Sequence, residues 1–293
     1  GVKVRPAPAS LHFAQNKLTM RTALANLGLP VPIWAAAGTA ADIEKFIEAN
    51  GPEIVVKTPI GGYDGKGVRV ISQTSEVSDW LEDIEQFGGA LLCEQKVLFV
   101  RELAQLVSRS PSGELRSWDT VQTVQKNGVC LEVIAPAPSP VDSLGAKEIA
   151  IKIAQGLEVL GVMAVEMFET ASGDLLVNEL AMRPHNSGHF SIEGSKTSQF
   201  EQHLRAVLDL PLGDTELLAG GSVMVNLLGV DSKNTLVENY AGAMAKFPHL
   251  KFHSYQKAPR EGRKMGHITA LGQNHRELLA ACHEAAKLLY KSD

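Results

Sequence analysis

The sequence predicts an α+β protein of more than one lobe, and three observations carry that reading. Its 293 residues exceed the length at which a single core keeps growing. Short runs rich in Val, Ile and Leu are joined by tight glycine, proline or Asn-Gly turns into antiparallel hairpins and a meander. Between these runs lie stretches with apolar residues at helical spacing. A hydrophobic content of 44% and a charged content of 21% are ordinary for a soluble globular chain. The net charge of -5 and pI near 6.0 argue against a general polyanion binder, so nucleic acid is not an expected partner. Cys93, Cys130 and Cys282 lie far apart within apolar patterns and read as reduced core residues rather than as a disulfide or zinc framework. No apolar run is long enough to span a bilayer and no signal peptide is visible. A cytoplasmic location and the absence of a membrane partner are therefore expected.

The first ten residues are extended and proline-rich, as a connecting segment would be. Ser10 is placed to cap a helix from Leu11 to about Leu27, with Leu11, Ala14, Leu18, Leu24 and Leu27 on one face and Gly28 ending it. Thr39, with Asp42 in the capping position, opens a second helix that stops at Asn50-Gly51. Glu53–Thr58 and Val68–Ile71 read as strands flanking I-G-G-Y-D-G-K-G. The glycines there allow positive φ and close approach of amide N–H groups to an anion, although a flexible hairpin turn explains them equally well. Neither a P-loop nor a dinucleotide fingerprint fits, because a strand rather than a helix follows. Lys57 before the loop and Lys66 within it favour phosphate.

A helix over Ser75–Phe87 and a strand over Leu91–Cys93 come next. A long strand over Phe99–Ser108 then turns at Pro111-Ser112-Gly113 into Leu115–Gln125 and at Lys126-Asn127-Gly128 into Val129–Ile134. Glu94 and Glu102 read, on pattern alone, as solvent-exposed strand charges. A helix over Asp142–Leu160 precedes a hairpin of Val162–Glu169 and Leu175–Ala181. Alternation places Glu166 and Glu179 near each other on one face, where two like charges destabilise a sheet unless a cation lies between them. Mg²⁺, with phosphate oxygens completing its shell, answers that objection, while a solvated edge is the plain alternative. Asn178 and Glu179 are adjacent, so either Asn178 acts through its backbone or the strand bulges. Arg183, His185, Asn186, Ser187 and His189 crowd the loop that follows, a density of polar groups that no packing need explains. A helix over Thr197–Asp209, strands over Ser222–Val230, Leu250–Tyr255 and Met265–Leu271, and a helix over Arg276–Tyr290 complete the chain. The basic run from Lys257 to His267 reads either as a solvated loop or as a phosphate pocket.

Four motifs in order, G-G-Y-D-G-K-G, N-E-L-A-x-R-P-H-N-S-G-H, T-S-Q-F-E-Q-H-L-R-A and G-R-K-M-G-H, together resemble the ATP-grasp superfamily and, within it, the 5-(carboxyamino)imidazole ribonucleotide synthetase family. The resemblance covers nearly the whole chain. It implies an ATP-grasp fold of two α+β lobes gripping ATP, followed by a small β-rich C-terminal domain. The expected divisions are a connection and helix over 1–35, a small lobe over 36–97, a large lobe over 98–212 and a C-terminal domain over 213–293. The family also opens with a nucleotide-fold domain of about a hundred residues; it is missing here, and with Gly1 as first residue a truncated chain is expected.

The implied activity is ATP-dependent carboxylation of 5-aminoimidazole ribonucleotide by bicarbonate through carboxyphosphate, in purine synthesis. The alternatives are a related purine ligase using formate or glycine, and a non-catalytic ATP-binding regulator. By similarity, ATP is held by Lys17, Lys57, the loop Gly62, Tyr63, Asp64, Gly65, Lys66, Gly67 and Val68, the hinge Glu94, Gln95, Lys96 and Val97, and by Glu102, Gln125, Asn178 and Glu179. Glu166 and Glu179 are the implied ligands of Mg²⁺, with Mn²⁺ as the substitute. Arg183, Asp64 and His185 are the implied catalytic residues, and Tyr63, Asn186, Ser187, Arg263 and Lys264 the implied acceptor site. A homodimer is the implied assembly. The chain departs from the family pattern at Asn16, in Gln15-Asn16-Lys17-Leu18 where Q-D-[RK]-L is usual and Lys17 takes the basic ATP-contacting role, at Gln125 where a His is usual, at Met182 and at Glu261, whose charge sits beside the proposed phosphate site.

Overall fold

The computed structural model describes residues 3–62, 66–126, 128–230 and 236–290. The chain opens with helices α1 (Pro8–Gln15) and α2 (Lys17–Asn26), where one continuous helix is expected from the apolar spacing. The break falls at Asn16, whose extended backbone lets its side chain accept from the Thr19 amide, while the Lys17 amide donates to the Pro59 carbonyl. Ser10 lies inside α1, buried, and does not cap it. The consequence is functional: the start of α2 is stitched to the segment that leads into the glycine loop.

A four-stranded antiparallel sheet follows, built from β1 (Trp34–Ala37), β2 (Ile54–Lys57), β3 (Val68–Ile71) and β4 (Leu91–Gln95) in the order β1-β4-β2-β3. Helix α3 (Ala40–Asn50) begins at the expected capping box, with Thr39 and Asp42 satisfying each other's amides. It covers one face, where Ile43 and Phe46 meet Ile54, Val56, Leu91 and Cys93. Val56 pairs with Cys93 on that face, so the alternate residues Lys57 and Glu94 face the other way. The helix expected over Ser75–Phe87 is broken into short pieces, including α4 (Ser78–Glu82). Glu76 turns back to accept from the Ser72 and Gln73 amides and Asp79 pairs with Arg69, so local side chains compete with a continuous helix.

The remaining strands form the larger antiparallel sheet: β5 (Phe99–Arg109), β6 (Leu115–Ser117), β7 (Val121–Lys126), β8 (Val129–Ala135), β9 (Gly161–Thr170), β10 (Leu175–Ala181), β11 (Gly221–Leu228), β12 (Lys251–Ser254) and β13 (Lys264–Gly272). Their order is β10-β9-β5-β7-β8-β11-β13-β12, with β6 on β5. The strand expected over Leu115–Gln125 is interrupted where the buried Trp118 indole donates to the Thr197 carbonyl. Helix α5 (Ser143–Gly156) is capped by Asp142, whose side chain accepts from the Gly145 amide, and ends short of the expected Leu160, because Glu158 turns to positive φ and Gly161 opens β9.

On one face, Leu103, Val165, Met167, Val177 and Leu180 pack on Met20 and Leu24 of α2 and Ala150 and Ile153 of α5. On the other, Ala104, Leu106, Ala164 and Met224 lie under Phe190 and Trp118. Past β10 come the short α6 (Ser191–Gly194), α7 (Gln199–Leu208) and α8 (Tyr240–Lys246). The last three strands extend the same sheet, and α9 (His275–Leu289) buries Cys282, Ala285 and Leu289 against Val223, Val225 and Ile268. All three cysteines are free and buried, and burial pushes each thiol up to about 12, which leaves them inert. Among the described residues no helix is long and apolar enough to cross a membrane.

Candidate active site

The uncovered face of the small sheet meets the hairpin end of the large one through a buried ion network. Glu94, only 2% exposed, accepts from Arg21 Nε through Oε1 and from Lys57 Nζ through Oε2 at 2.6 Å. The Lys57 ammonium also donates to Asn178 Oδ1 at 3.2 Å, and Arg21 Nη2 donates to the Asn178 carbonyl at 2.8 Å. Burial by itself raises the Glu94 carboxyl, but Lys57 and Arg21 overcome it and hold the group below the ordinary carboxylate range. Glu94 is thus no solvated strand charge: its side chain orients Lys57.

The Asn178 question is resolved by a bulge between Val177 and Glu179, which brings Glu179 opposite Glu166 across the hairpin. The bulge serves both of the expected roles at once, since the Asn178 carbonyl takes Arg21 while its amide oxygen takes Lys57.

Glu166 is half-buried and Glu179 exposed. Burial first, and then Glu179 and Glu102, push the Glu166 carboxyl up to about 7. Glu102 pairs in register with Phe168 and Ala104 with Glu166, so Glu102 shares the face of Glu166 one step along the sheet. Two opposed carboxylate oxygens of this kind suit a hard divalent cation. Among the described residues no group of three or more His, Cys, Asp or Glu is gathered around one point. The donor set therefore fits an ion that draws its remaining oxygens from a bound nucleotide and water rather than from a protein cage.

Lys17 is half-buried beside this group, its ammonium held below its usual range by burial and drawn back up by Glu179. Gly62 and Gly67 pack the mouth of the glycine loop. A Cβ on Gly62 would lie 2.6 Å from the Lys66 carbonyl, and one on Gly67, at φ +71°, would overlap Thr58 Oγ1. Lys66 and Val68 are exposed; Tyr63, Asp64 and Gly65 lie outside the described residues. We expect Gly67→Ala to lose about 2 kcal/mol of local order through both strain and overlap, read as weakened ATP binding. Gly61→Ala, at φ +78° but with open space around it, should lose less than half of that.

At the end of β4, where the hinge is expected, Gln95 donates its amide to the Ile33 carbonyl, and Lys96 leans outward onto Glu53. Val97 is half-buried. Gln125 is half-buried at the end of β7, on the strand next to Glu102.

The loop beyond β10 folds over the same face. The Ser187 amide donates to His185 Nδ1 at 3.3 Å, which makes that nitrogen the acceptor and leaves the Nε2 proton facing Glu166 Oε1 at 3.2 Å. Burial, then Arg183 and Lys264, drives the His185 ring down to about 3, so it stays neutral. Asn186 exchanges side-chain hydrogen bonds with the buried Asn226 of β11 at 2.6 and 3.1 Å. Arg183 is exposed, turned so that Nη1 donates to the Pro184 carbonyl. Lys264 reaches close enough to act on Glu166, His185 and Cys130 electrostatically. Arg263 donates instead to the Ala258 carbonyl, and Glu261 is exposed.

Three functional positions escaped the sequence reading. Arg21 lies one helical turn after Lys17, a spacing that would have put both on one face. Gln199 and Asn226, both buried, hold the loop from behind; Gln199 stood within the T-S-Q-F-E-Q-H-L-R-A motif without a role of its own, and Asn226 carries no pattern.

This arrangement of a glycine loop, a lysine strand and an opposed carboxylate pair has parallels in known proteins. Family models for the ATP-grasp domain and the phosphoribosylaminoimidazole carboxylase C-terminal domain match residues 22–200 and 222–281. The N5-carboxyaminoimidazole ribonucleotide synthase of Mycobacterium tuberculosis (strain H37Rv) is 46% identical over 293 residues, covering 99% of this chain and 68% of that protein. The chain belongs to the N5-carboxyaminoimidazole ribonucleotide synthase family. The enzyme of that name from Corynebacterium ammoniagenes is likewise 46% identical, over 94% of this chain and 68% of its own length. Among solved structures, carboxyaminoimidazole ribonucleotide synthase from Aspergillus clavatus complexed with ATP superposes with a TM-score of 0.87 at 32% identity, covering 98% of this chain and 76% of that one. The Aspergillus clavatus enzyme with ADP and 5-aminoimidazole ribonucleotide gives the same TM-score at 31% identity, over 99% and 77%.

Proposed function

We propose that the chain is an ATP-dependent ligase that carboxylates 5-aminoimidazole ribonucleotide with bicarbonate in purine synthesis. The observation that carries this reading is the opposition of Glu166 and Glu179 across the hairpin, with Lys57 and Asn178 on its nucleotide side and the His185 loop on its acceptor side. In the reaction a bicarbonate oxygen attacks the γ-phosphorus, the bond to the β-phosphate oxygen breaks, and ADP leaves. Carboxyphosphate then releases CO₂ and phosphate, and the exocyclic amine attacks the carbon and loses a proton.

Lys57, Lys17 and the amides of the glycine loop hold the triphosphate, while the backbone of Glu94–Val97 accepts and donates at the adenine edge and Glu102 accepts from the ribose hydroxyls. Bound Mg²⁺ would supply charge neutralisation at the transferring phosphoryl group; Glu166 and Glu179 would hold it. Arg183 offers a planar fork to bicarbonate, and its exposure leaves it free to swing towards the hairpin. Lys264, beside His185 and Glu166, is the cation best placed for the acceptor's phosphate, with Arg263 able to join it once it leaves the Ala258 carbonyl.

The test is phosphate release from MgATP, which should require bicarbonate and rise with the ribonucleotide; release that responds equally to formate or glycine would refute the assignment. In the same assay Arg183→Ala should raise the bicarbonate concentration for half-maximal rate by about tenfold, the loss of one charge-assisted contact, with the ATP requirement little changed.

A further inference from the structure

Gln199, the first residue of α7, is fully buried, and its side chain is spent on the loop that carries His185. Its Oε1 accepts from the His185 amide at 2.8 Å, and its Nε2 donates to the His185 carbonyl and to His189 Nδ1, each at 2.8 Å. A backbone N–H only donates, so the His185 amide fixes which end of the Gln199 amide is oxygen. The nitrogen end must then donate, and His189 Nδ1 must be an unprotonated acceptor. Gln199 thus grips one residue at both N–H and C=O, as a neighbouring strand would, and sets the tautomer of a second.

Nearby groups have been cleared to admit this side chain. A Cβ on Gly188 would overlap the Gln199 carboxamide and Leu106. The Gln199 backbone N–H donates to Ser191 Oγ at 2.9 Å, and that hydroxyl donates to the Gly188 carbonyl at 2.5 Å, a second tie from helix to loop. With the His185 backbone clamped and its Nδ1 taken by the Ser187 amide, the ring is left with Nε2–H directed at Glu166. The His189 ring stacks on His267 with centroids 5.2 Å apart, and His267 on His253 at 4.2 Å, so the clamp also closes a column of rings that reaches β12. Burial, and then His253 and nearby cations, hold the His189 ring down at about 4, in keeping with its role as an acceptor.

We propose that Gln199 is a positioning residue: it sets the register of the 185–189 loop, aims His185 at the hairpin carboxylate and fixes His189 with its proton on Nε2. The inference rests on the carboxylase reading only for what the aimed loop does, not for the clamp itself.

The experiment has two arms. In the ligand-free chain, ¹⁵N spectra of the histidine rings should show His189 with Nδ1 unprotonated; a proton on Nδ1 there overturns the clamp before any variant is made. Gln199→Glu keeps the acceptor for the His185 amide but removes the donors, so His189 should gain a proton on Nδ1. Its ribonucleotide-dependent rate should fall by about tenfold, a displacement effect at a reacting site, while the KM for MgATP moves by less than about threefold. Combined with His185→Ala, Gln199→Glu should add clearly less than its own loss, because part of its effect is exerted through the His185 ring. Losses that multiply, or a uniform decline of every constant in step with thermal stability, would reduce Gln199 to a core residue. Gln199→Met, which keeps the length and removes all three side-chain bonds, should show the same kinetic pattern. A parent chain with the expected His189 tautomer but no bicarbonate-dependent phosphate release would fail the carboxylase reading, and the ring spectra of Gln199→Glu would then decide the clamp by themselves.

Discussion

Glu179→Gln is expected to lower Mg²⁺-dependent turnover by about 100-fold, roughly 2.7 kcal/mol of barrier, which is in the range found when one preorganised electrostatic contact is removed. The substitution keeps the shape of the side chain and removes one of the two opposed charges. Glu179 is exposed, so folding should change by no more than about 0.5 kcal/mol, and relief of the repulsion with Glu166 favours the variant. The Mg²⁺ concentration for half-maximal rate should rise with the loss. A pH profile adds an independent reading. Burial, Glu179 and Glu102 together keep the Glu166 carboxyl at about 7 in the absence of a cation, and a protonated Glu166 is a poor ligand. At Mg²⁺ concentrations that do not saturate the site, the rate should therefore fall as pH drops through that region. With Glu179 neutral, one of the upward influences is gone, and the fall should come at lower pH. Unaltered Mg²⁺ dependence, or a loss of stability that matches the loss of rate, would make Glu179 structural.

How much of this was legible beforehand depends on the range of the interactions involved. The hairpin of β9 and β10 and the α3 capping box are local in sequence, and each was found with boundaries within a few residues. The nearness of Glu166 and Glu179 was expected from alternation plus one turn, but in the register the turn sets, Asn178 would oppose Glu166, and it is the bulge that brings Glu179 there. The bulge was foreseen as one of two options because adjacent Asn178 and Glu179 cannot share a face of a regular strand.

What failed was governed by contacts distant in sequence. The break at Asn16 is fixed by Pro59, and the gap between β6 and β7 by Thr197, neither of which leaves a mark on the local pattern. Glu94 reads as a surface charge until Arg21 and Lys57 arrive, from 73 residues away in the case of Arg21. Pattern alone left the glycine loop and the basic segment open between plain and functional readings. The resemblance chose for them, and only the described half of the loop adds geometry to that choice.

Arg21→Met carries the second large effect, this time on folding. Arg21 and Glu94 are both almost completely enclosed, and removing one partner of such a pair leaves a buried charge short of compensation, a loss of about 3 to 5 kcal/mol. Lys57 remains beside Glu94, which favours the lower end of that range. The pH dependence follows from the same balance. In the intact chain the Glu94 carboxyl titrates below its ordinary value of 4.5, so its stabilising contribution is complete above that pH and is lost as pH falls through the lower folded value. Without Arg21, burial regains ground against Lys57 and the folded carboxyl moves upward, so its distance from the unfolded value narrows and acid removes less stability from the variant than from the parent. Urea unfolding at pH 7 and pH 5 would show the deficit and its narrowing as pH falls. Because the Lys57 ammonium would then serve as the main counter-ion of Glu94, it should be drawn more tightly to that carboxylate and away from phosphate. ATP affinity should fall even at temperatures where the variant is fully folded. Adding Glu94→Gln to Arg21→Met should lose much less than the two single losses combined, since the second change removes the charge that the first left exposed to its own desolvation. If Arg21→Met lost under 1 kcal/mol and bound ATP as the parent does, the network would be incidental, and the orientation of Lys57 would have to come from Asn178 and the glycine loop instead.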